Sequence, residues 1–240
     1  MRPRQDAPGL FARRWEPTHR LFRDRRDAGV QLAAALLRYR DRSVLVLGVP
    51  RGGVPVAAEV AQRLDAELDV FVARKIGAPR QEELALGAIT ADGTTFLNYE
   101  IIASLGVDDV ELAARARVQQ TEALRREERW RKGLPPLVTR DRTVLLIDDG
   151  LATGATLRAA IRALHLRRVG RLVVGVPVAA AESAALIARE VDELVCLHRP
   201  EPFLSVGLHY EQFDPTSDES VDEILARYRR RHPAPPKSAS

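Results

Sequence analysis

Asp148 and Asp149 are the residues best suited to chemistry, because these adjacent acids directly follow the aliphatic run 144–147. The loop 150–156, made of small and hydroxyl-bearing residues, comes next and leads into a helical pattern. This order predicts a buried strand that delivers both carboxylates to the carboxyl edge of a sheet, where open α/β folds bind ligands. The loop amides and the following helix N-terminus favour a phosphate, and the carboxylates can accept hydrogen bonds from sugar hydroxyls. The pattern therefore predicts a ribose phosphate site, with an ordinary Asp- and Gly-rich turn as the simpler alternative.

A glycine-containing turn follows the first predicted core strand, 44–49. There Arg51 leads into Gly52 and Gly53 before a helical pattern begins. Glycine lets the backbone approach a ligand closely, and an arginine can add a charge-assisted contact to phosphate. An Arg-Gly-Gly turn is by itself most often a tight connection. Paired with the loop after Asp149, it predicts a second anion-binding turn.

A basic pair, Arg74 and Lys75, is predicted at the end of the second core strand, 69–73. Two positive charges there would stabilise a leaving group that gains negative charge. A basic strand end that faces solvent is the alternative. The run 81–98 is then predicted to form a small hairpin that turns at Asp92 and Gly93.

Aliphatic runs of strand length alternate with amphipathic helical stretches around these motifs, which is typical of a parallel sheet covered by helices. Helices are predicted at 28–39, 54–64, 155–166 and 182–189, and strands at 44–49, 69–73, 143–147, 171–178 and 193–197. The sequence therefore predicts an α/β fold with an open, mainly parallel sheet of about five strands and helices on both faces. We expect one domain over 1–240, with a flap at about 75–98, a helical insertion at about 99–138 and a disordered tail at about 232–240.

The stretch 108–132 interrupts the alternation with a long, highly charged helical pattern. Within it, Glu122 precedes Arg126 at an i,i+4 spacing that stabilises helices. The simpler interpretation is a solvated helix that covers one edge of the domain. A dedicated binding element is the alternative.

Composition narrows the classes of function. The chain has 37 Lys and Arg and 33 Asp and Glu residues, and a net charge of +4 is too small a surplus to indicate a nucleic-acid partner. The single Cys196 excludes an internal disulfide framework, and the five histidines lack the spacing of a zinc site. No secretion signal and no apolar run long enough for a bilayer is present, so we expect a cytoplasmic protein without a membrane partner.

The string VLLIDDGLATGAT, residues 144–156, resembles the phosphoribosyl pyrophosphate signature of type I phosphoribosyltransferases. In that signature, hydrophobic residues precede two acids and a loop that ends in Thr-Gly-small-Thr. The string lacks the Gly-Lys-Ser/Thr end of a Walker loop and the Gly-x-Gly-x-x-Gly spacing of a dinucleotide site. The resemblance covers about 44–197, and the segment from 199 onward is similar to the ends of uncharacterised bacterial phosphoribosyltransferase-like proteins.

The resemblance implies that the chain binds phosphoribosyl pyrophosphate with Mg²⁺, transfers the phosphoribosyl group to a small nitrogen acceptor and releases pyrophosphate. The acceptor it implies first is a nucleobase. Asp148 and Asp149, which would hold the ribose hydroxyls, and Lys75 are then the expected catalytic residues. Mg²⁺ would be bound through the substrate, and Asp148 is a candidate for a further ligand. The family often has a non-proline cis peptide after the first core strand, for which the Arg51–Gly52 bond is the candidate. The expected substrate-binding residues are Arg51, Gly52, Gly53, Arg74, Gly150, Leu151, Ala152, Thr153, Gly154, Ala155 and Thr156, the last four at the 5′-phosphate.

Three functions stay open at this point. A transferase needs a closing flap with a cation, which Lys75 and the following segment resemble. A regulator could keep the fold and ligand site as a sensor, with an arginine-rich face for RNA, and a hydrolase could use water as the acceptor. The aromatics Phe203, Tyr210 and Phe213 either close a core, which is the commoner arrangement, or stack on a planar acceptor. A homodimer is left open as well.

Overall fold

The structure, a computed structural model, describes residues 21–40 and 42–232. Its helices and strands alternate along most of the chain, with short 3₁₀ helices at Leu37–Tyr39 and Val206–His209. In chain order the other elements are α1 (Arg25–Ala35), β1 (Leu45–Gly48), α2 (Gly53–Leu64), β2 (Glu67–Val70), β3 (Ala73–Ala78), β4 (Gln81–Thr90), β5 (Thr95–Leu97), α3 (Tyr99–Leu105), α4 (Asp109–Arg131), β6 (Thr143–Ile147), α5 (Ala155–Leu166), β7 (Arg171–Val178), α6 (Ala181–Ala188), β8 (Glu193–His198) and α7 (Asp218–Arg231).

The centre of the molecule is a five-stranded parallel sheet with the strand order β2-β1-β6-β7-β8. Its inner strands are almost purely aliphatic because both faces are covered, by α1, α2 and α7 on one side and by α5 and α6 on the other. The predicted α/β class, with an open parallel sheet of about five strands, is therefore confirmed. The predicted bounds of β6, α5 and β7 also agree with the structure.

A second, antiparallel sheet of three strands, in the order β3-β4-β5, lies apart from the central one. The hairpin of β4 and β5 was predicted, with Gly93 in its turn at φ +85°. The predicted strand 69–73 was placed wrongly at its end, because β2 stops at Val70. Ala73 already pairs with Thr90 of the small sheet, so Arg74 and Lys75 lie within β3 and not at the end of a core strand. An aliphatic run does not reveal which of two sheets it joins.

The helical segment after the small sheet consists of α3 and α4. The bounds of α4 lie within one residue of the predicted pattern 108–132, and the Asp108 side chain caps it by accepting a hydrogen bond from the Glu111 amide. α3 falls within the predicted helical insertion at about 99–138 but was not predicted as a separate helix, and α7 was not predicted. The division into one domain with a flap and an insertion stays a prediction, and the predicted disordered tail after 232 lies outside the described residues.

Two features of the outer elements bear on the functional site. Asp24 caps α1 by accepting a hydrogen bond from the Asp27 amide at 2.8 Å, which fixes the first helical turn and Arg25 within it. The segment after β8 returns to this turn, where Phe22 and Tyr210 form a parallel β-bridge. None of the helices in the described ranges is both long and apolar enough to span a bilayer.

Candidate functional site

Two loops meet at the carboxyl edge of the central sheet. β1 and β6 are adjacent parallel strands that end in register, so the turn 50–53 and the loop 148–156 leave the sheet at the same level. Their contact is close, because a Cβ on Gly52 would lie 2.0 Å from Asp149 Oδ2. A side chain at Gly52 would therefore displace the carboxylate of the neighbouring loop, which glycine leaves in place.

The two acids lie at the end of β6 and are partly buried. The Asp149 amide donates to Asp148 Oδ1 at 2.9 Å. Arg25 Nε donates to Asp149 Oδ2 at 2.8 Å, in an ion pair whose side chains are only 12% and 16% exposed. Burial, and then the charge of Asp149, raises the pKa of Asp148 well above its usual range. Burial also raises the pKa of Asp149, and the Arg25 guanidinium limits that rise. Asp149 is therefore paired directly with a positive charge. The ionised form of Asp148 is the one that a further cation would stabilise most.

Arg25 is also held by the segment that follows β8. Its Nη1 donates to the Asp214 carbonyl at 2.8 Å, and its guanidinium carbon lies 3.8 Å from the centroid of the Phe213 ring. The Tyr210 hydroxyl donates to the Asp149 carbonyl at 2.6 Å. We call Arg25, Tyr210, Phe213 and Asp214 the Asp149 brace. It fixes the carboxylate of Asp149 through Arg25 and the backbone through Tyr210.

The three C-terminal aromatics lie in or against one hydrophobic cluster beside the site. Tyr210 is buried in one cluster with Phe22, and Phe203 and Phe213 pack against that cluster. The Tyr210 and Phe213 ring centroids are 4.9 Å apart. The commoner interpretation, that these residues close a small core, describes this arrangement. Stacking on an acceptor stays a prediction.

The loop after Asp149 is lined by small residues because little space is available. A Cβ on Gly150 would lie 2.4 Å from Val206 Cγ1, and Gly154 has φ +77°, a conformation that favours glycine. Gly154 is also the N-cap of α5 and offers no side chain to the first helical turn. The amides of that turn therefore point out of the helix end without a side-chain partner, which makes this end suitable for an anion.

The turn after β1 differs from the expectation at one bond. The cis peptide lies between Pro50 and Arg51, not between Arg51 and Gly52. Gly52 has right-handed helical dihedral angles, and the Gly53 amide donates to the Val49 carbonyl at 3.0 Å. The helical turn thus already begins at Gly52, and the irregular part of the turn comes one residue earlier than predicted.

The Arg51 side chain is paired with an acid that the sequence analysis did not single out. Its Nη1 lies 3.4 Å from Asp218 Oδ1, in the first turn of α7. Asp218 also faces Arg125 Nη2 at 3.7 Å and Arg129 Nη1 at 3.4 Å. A phosphate group that binds Arg51 would therefore compete with an internal carboxylate.

Arg74 and Lys75 line a cleft of about 450 Å³ between the small sheet and α4, which we call the basic cleft. Pro50 of the first turn and Thr156 at the start of α5 border the same cleft. The basic pair thus adjoins both predicted phosphate-binding loops, although it lies on a different strand from the one predicted. Burial, and then the charge of Arg126, lowers the pKa of Arg74.

A magnesium ion would find a partial site at this edge. Among the described residues, no group of three or more His, Cys, Asp or Glu side chains could hold a metal ion. Mg²⁺ usually keeps several waters and binds through one or two carboxylates together with substrate phosphates. The adjacent carboxyl groups of Asp148 and Asp149 fit that partial role, and the raised pKa of Asp148 would fall beside a cation.

The structure brings the predicted residues of the two loops together at one sheet edge, with the basic pair on the wall of the adjoining cleft. The sequence analysis missed Arg25, Asp214 and Asp218, which contact Asp149, Arg25 and Arg51 respectively. No local pattern marks Arg25 as a partner of Asp149, because the two are far apart along the chain. Asp218 had a weak signal, since Ser217 followed by two acids is typical of a helix start.

Comparisons with known proteins give a consistent result. Residues 24–205 match the phosphoribosyl transferase domain family. Two curated relatives from strains of Mycobacterium tuberculosis, both provisionally named phosphoribosyl transferase, are 44% identical over 211 residues, which is 88% of this chain and 48% of theirs. The chain therefore spans about half the length of the curated relatives it matches. The crystal structure of TT1426 from Thermus thermophilus is similar with a TM-score of 0.73 and 41% identity, over 86% of this chain and 98% of that one.

Proposed function

This chain belongs to the phosphoribosyl transferase domain family, and from that premise we propose that it binds phosphoribosyl pyrophosphate and transfers the phosphoribosyl group to a nitrogen acceptor. The observation that carries the proposal is the contact between the turn 50–53 and the acid-bearing loop 148–156. One loop has the composition of a ribose phosphate site and the other has that of a pyrophosphate site. Their contact at one sheet edge suits a ligand that carries both groups.

The ribose would be held by the two acids. Carboxylate oxygens accept hydrogen bonds from hydroxyls, and Asp149 is oriented for this by the Arg25 ion pair and the Tyr210 hydrogen bond. The 5′-phosphate would bind at the loop Thr153, Gly154, Ala155 and Thr156. There the free amides of the first turn of α5 and the helix dipole both favour an anion.

The pyrophosphate would lie between the turn after β1 and the basic cleft. The Gly53 amide is engaged with Val49, which leaves the amides of Arg51 and Gly52 as the backbone donors. Arg51, Arg74 and Lys75 supply positive charge on the same side. In the reaction, the bond between ribose C1 and the pyrophosphate oxygen breaks, and pyrophosphate leaves with the electron pair. These cations would stabilise the negative charge as it develops.

The chemical step needs no protein nucleophile. The acceptor nitrogen gives its lone pair to C1 and releases its proton to water, and the positive charge that builds on the ribose ring is offset by the carboxylates of Asp148 and Asp149. When bound, Mg²⁺ would supply charge neutralisation at the pyrophosphate, with Asp148 as the protein ligand. Asp149 and Arg25 would keep the ribose oriented, since their ion pair holds the Asp149 carboxylate in place.

A nucleobase is the acceptor we propose first, because the family resemblance points to a nitrogen nucleophile. The hydrophobic cluster of Phe203, Tyr210 and Phe213 lies beside Asp149 and could provide a planar ring with an apolar wall. A sensor that binds the same ligand without turnover is the second candidate. The pairing of Arg51 with Asp218 favours it, because ligand binding that breaks this pair would alter the contacts of α7.

The test is to incubate the protein with magnesium and phosphoribosyl pyrophosphate and to assay pyrophosphate and ribosylated product over a panel of nucleobases. A transferase forms both products only when a suitable base is present. Pyrophosphate and ribose 5-phosphate that form without any base would indicate a hydrolase. Tight binding without turnover for every base would indicate a sensor, and absence of binding would contradict the whole assignment. The Asp149→Asn variant serves as the control for contaminating activity.

A further inference from the structure

The helix α4 contributes one side of the basic cleft. Arg115, Val118, Gln119 and Arg126 project from α4 into the lining, opposite the strands β3 and β4. Pro50 of the turn after β1 also lines the cleft. The simpler interpretation of the sequence, a solvated helix on one edge, does not account for a helix face that borders the site.

The charged side chains that line the cleft are mostly basic. Arg74, Lys75, Arg115 and Arg126 line it, whereas Glu82 is the acid in that lining. Like charges around a partly enclosed space repel one another, and an anion in the space relieves the repulsion. The lowered pKa of Arg74, to which the charge of Arg126 contributes after burial, reports the same proximity.

Glu122 does not neutralise this positive charge completely. Its carboxylate is shared by two guanidinium groups, with 2.7 Å from Glu122 to Nε of both Arg125 and Arg126. The two arginines differ in exposure, since the Arg126 side chain is 17% exposed and the Arg125 side chain 53%. Arg126 borders the cleft, whereas Arg125 lies outside its lining. The pair therefore offers two similar charges of which one faces the cleft.

A hydrogen bond between β3 and α4 orients a basic side chain of the cleft. Arg74 Nε donates to Gln119 Oε1 at 2.8 Å, so α4 holds the guanidinium of β3 in place through a neutral acceptor. An acid at that position would have cancelled the charge of Arg74. The amide instead fixes its direction and leaves the charge available to a ligand.

We propose that α4 forms one wall of the pyrophosphate site and that the Arg126 guanidinium binds phosphate oxygens there. This inference rests on the proposed function, which supplies the ligand. The charge of the cleft suits a polyanion, and its border with the turn after β1 places that polyanion beside Arg51. An anionic group on the acceptor is the other source of the same chemistry, and the experiment separates the two.

The experiment compares Arg126→Gln with Arg125→Gln by calorimetric titration of inorganic pyrophosphate in the presence of magnesium. Both variants remove one charge from α4 and one partner of Glu122. Arg126→Gln removes a cleft residue, whereas Arg125→Gln removes a 3.7 Å contact with Asp218 outside the cleft lining. We expect Arg126→Gln to weaken pyrophosphate binding by about tenfold or more, and Arg125→Gln by less than about twofold. Arg126→Lys, which keeps the charge but not the planar fork, should recover part of the affinity. Thermal unfolding of all three variants shows whether they are folded.

Ribose 5-phosphate provides the second arm, because its phosphate is expected at the loop Thr153 to Thr156. Its affinity should be the same in the parent and in all three variants. The proposal would be overturned if Arg126→Gln bound pyrophosphate as tightly as the parent, or if Arg125→Gln lost as much pyrophosphate affinity as Arg126→Gln. It would also be overturned if Arg126→Gln lost as much affinity for ribose 5-phosphate as for pyrophosphate. Unchanged pyrophosphate binding with weaker binding of an anionic base would assign Arg126 to the acceptor instead. If the parent protein binds pyrophosphate through Arg126 but forms no product with any base, the transferase function is refuted. The assignment of α4 and Arg126 to the pyrophosphate site then still holds.

Discussion

The loop that follows β6 and the Asp149 brace act on the same two acids, but they are assembled in different ways. The acids, the loop 150–156 and the start of α5 are consecutive in the chain, so local geometry alone presents them at the sheet edge. The brace joins Arg25 of α1 to Tyr210, Phe213 and Asp214 of the segment after β8. The groups proposed to touch the ribose and its 5′-phosphate thus come from one short unit, whereas the orientation of Asp149 depends on residues that only the complete fold brings together.

The largest effect should come from closing the space between the two loops. In Gly52→Val, the new Cβ would fall 2.0 Å from Asp149 Oδ2, so the carboxylate has to move or the turn has to open. We expect detectable binding of pyrophosphate to be lost and binding of ribose 5-phosphate to weaken, because Asp149 is displaced with the turn. Calorimetric titration of both ligands measures this.

Gly133→Ala is the matched control for Gly52→Val. Gly133 has φ +78° and nothing within 4 Å of an added Cβ, so the change should cost about 1 kcal/mol of stability and leave both ligands bound. Parent-like pyrophosphate binding in Gly52→Val would mean that the two loops do not act as one site.

Arg25→Gln should have the next largest effect, and it breaks the brace without touching the loop. It leaves a mostly buried Asp149 carboxylate without its counter-charge, which should lower the free energy of unfolding by about 3 kcal/mol. Urea unfolding measures this loss. Arg23→Gln, which removes an exposed ion pair, should change stability by less than about 0.5 kcal/mol. Equal losses in the two variants would show that the brace contributes no more than a surface pair.

Removing the acids themselves should weaken ligand binding by a smaller amount. Beside bound magnesium, which would lower the raised pKa of Asp148, Asp148→Asn and Asp149→Asn each replace an ionised acceptor of ribose hydroxyls. Each change should cost about 1.5 to 3 kcal/mol of binding free energy for phosphoribosyl pyrophosphate. Titration with magnesium present measures the change. Unchanged affinity in both variants would remove these residues from the ribose site and leave the brace as a purely structural feature.

The smallest effect concerns stability as a function of pH. Burial and the charge of Asp149 raise the pKa of Asp148 in the folded state, so this group contributes stability at low pH that is lost as the pH rises through the raised pKa. Asp148→Asn should remove that loss, and its unfolding free energy without ligand should vary less with pH above the usual carboxyl range. Urea unfolding at a series of pH values measures this.

Glu122 provides the opposite case on the surface of α4. Hydrogen bonding from Arg125 lowers the pKa of Glu122 to about 2, so its contribution to stability is present at neutral pH and lost on acidification toward that value. Glu122→Gln should therefore reduce the loss of stability in acid and leave the alkaline side unchanged. If Asp148→Asn and Glu122→Gln changed the pH dependence of the unfolding free energy in the same direction, the electrostatics of the acids at the sheet edge would not differ from those of the surface of α4.

The same contrast explains what the sequence could predict. β6, α5 and the loop between them were predicted with the right bounds because strand pattern, acids, small residues and helix pattern follow one another without interruption. β2 was extended too far because the aliphatic run continues through Phe71 and Val72, although β2 ends at Val70 and the Phe71 amide makes a last hydrogen bond to Gly48 of β1. Sheet membership is decided by pairing partners, which hydropathy does not encode.

The remaining misses have separate causes. α7 was overlooked because it is mostly charged, although Val221, Leu225 and Tyr228 recur at helical spacing and are its buried residues. Arg25 gave no signal at all, since its role arises only where α1 meets β6. The cis bond was misplaced by one residue, because the sequence does not show at which residue after β1 the helical geometry begins.

The spread of the Asp149 brace along the chain also has a consequence for synthesis. On the ribosome the central sheet can be complete once β8 has emerged, since β8 is its last strand in chain order. Tyr210, Phe213 and Asp214 are translated after that point, at roughly 5 to 20 residues per second. A nascent chain with a finished sheet thus carries the phosphate loop before Asp149 can be held in place. Phosphorylated ligands should then stabilise the released protein and not the nascent chain.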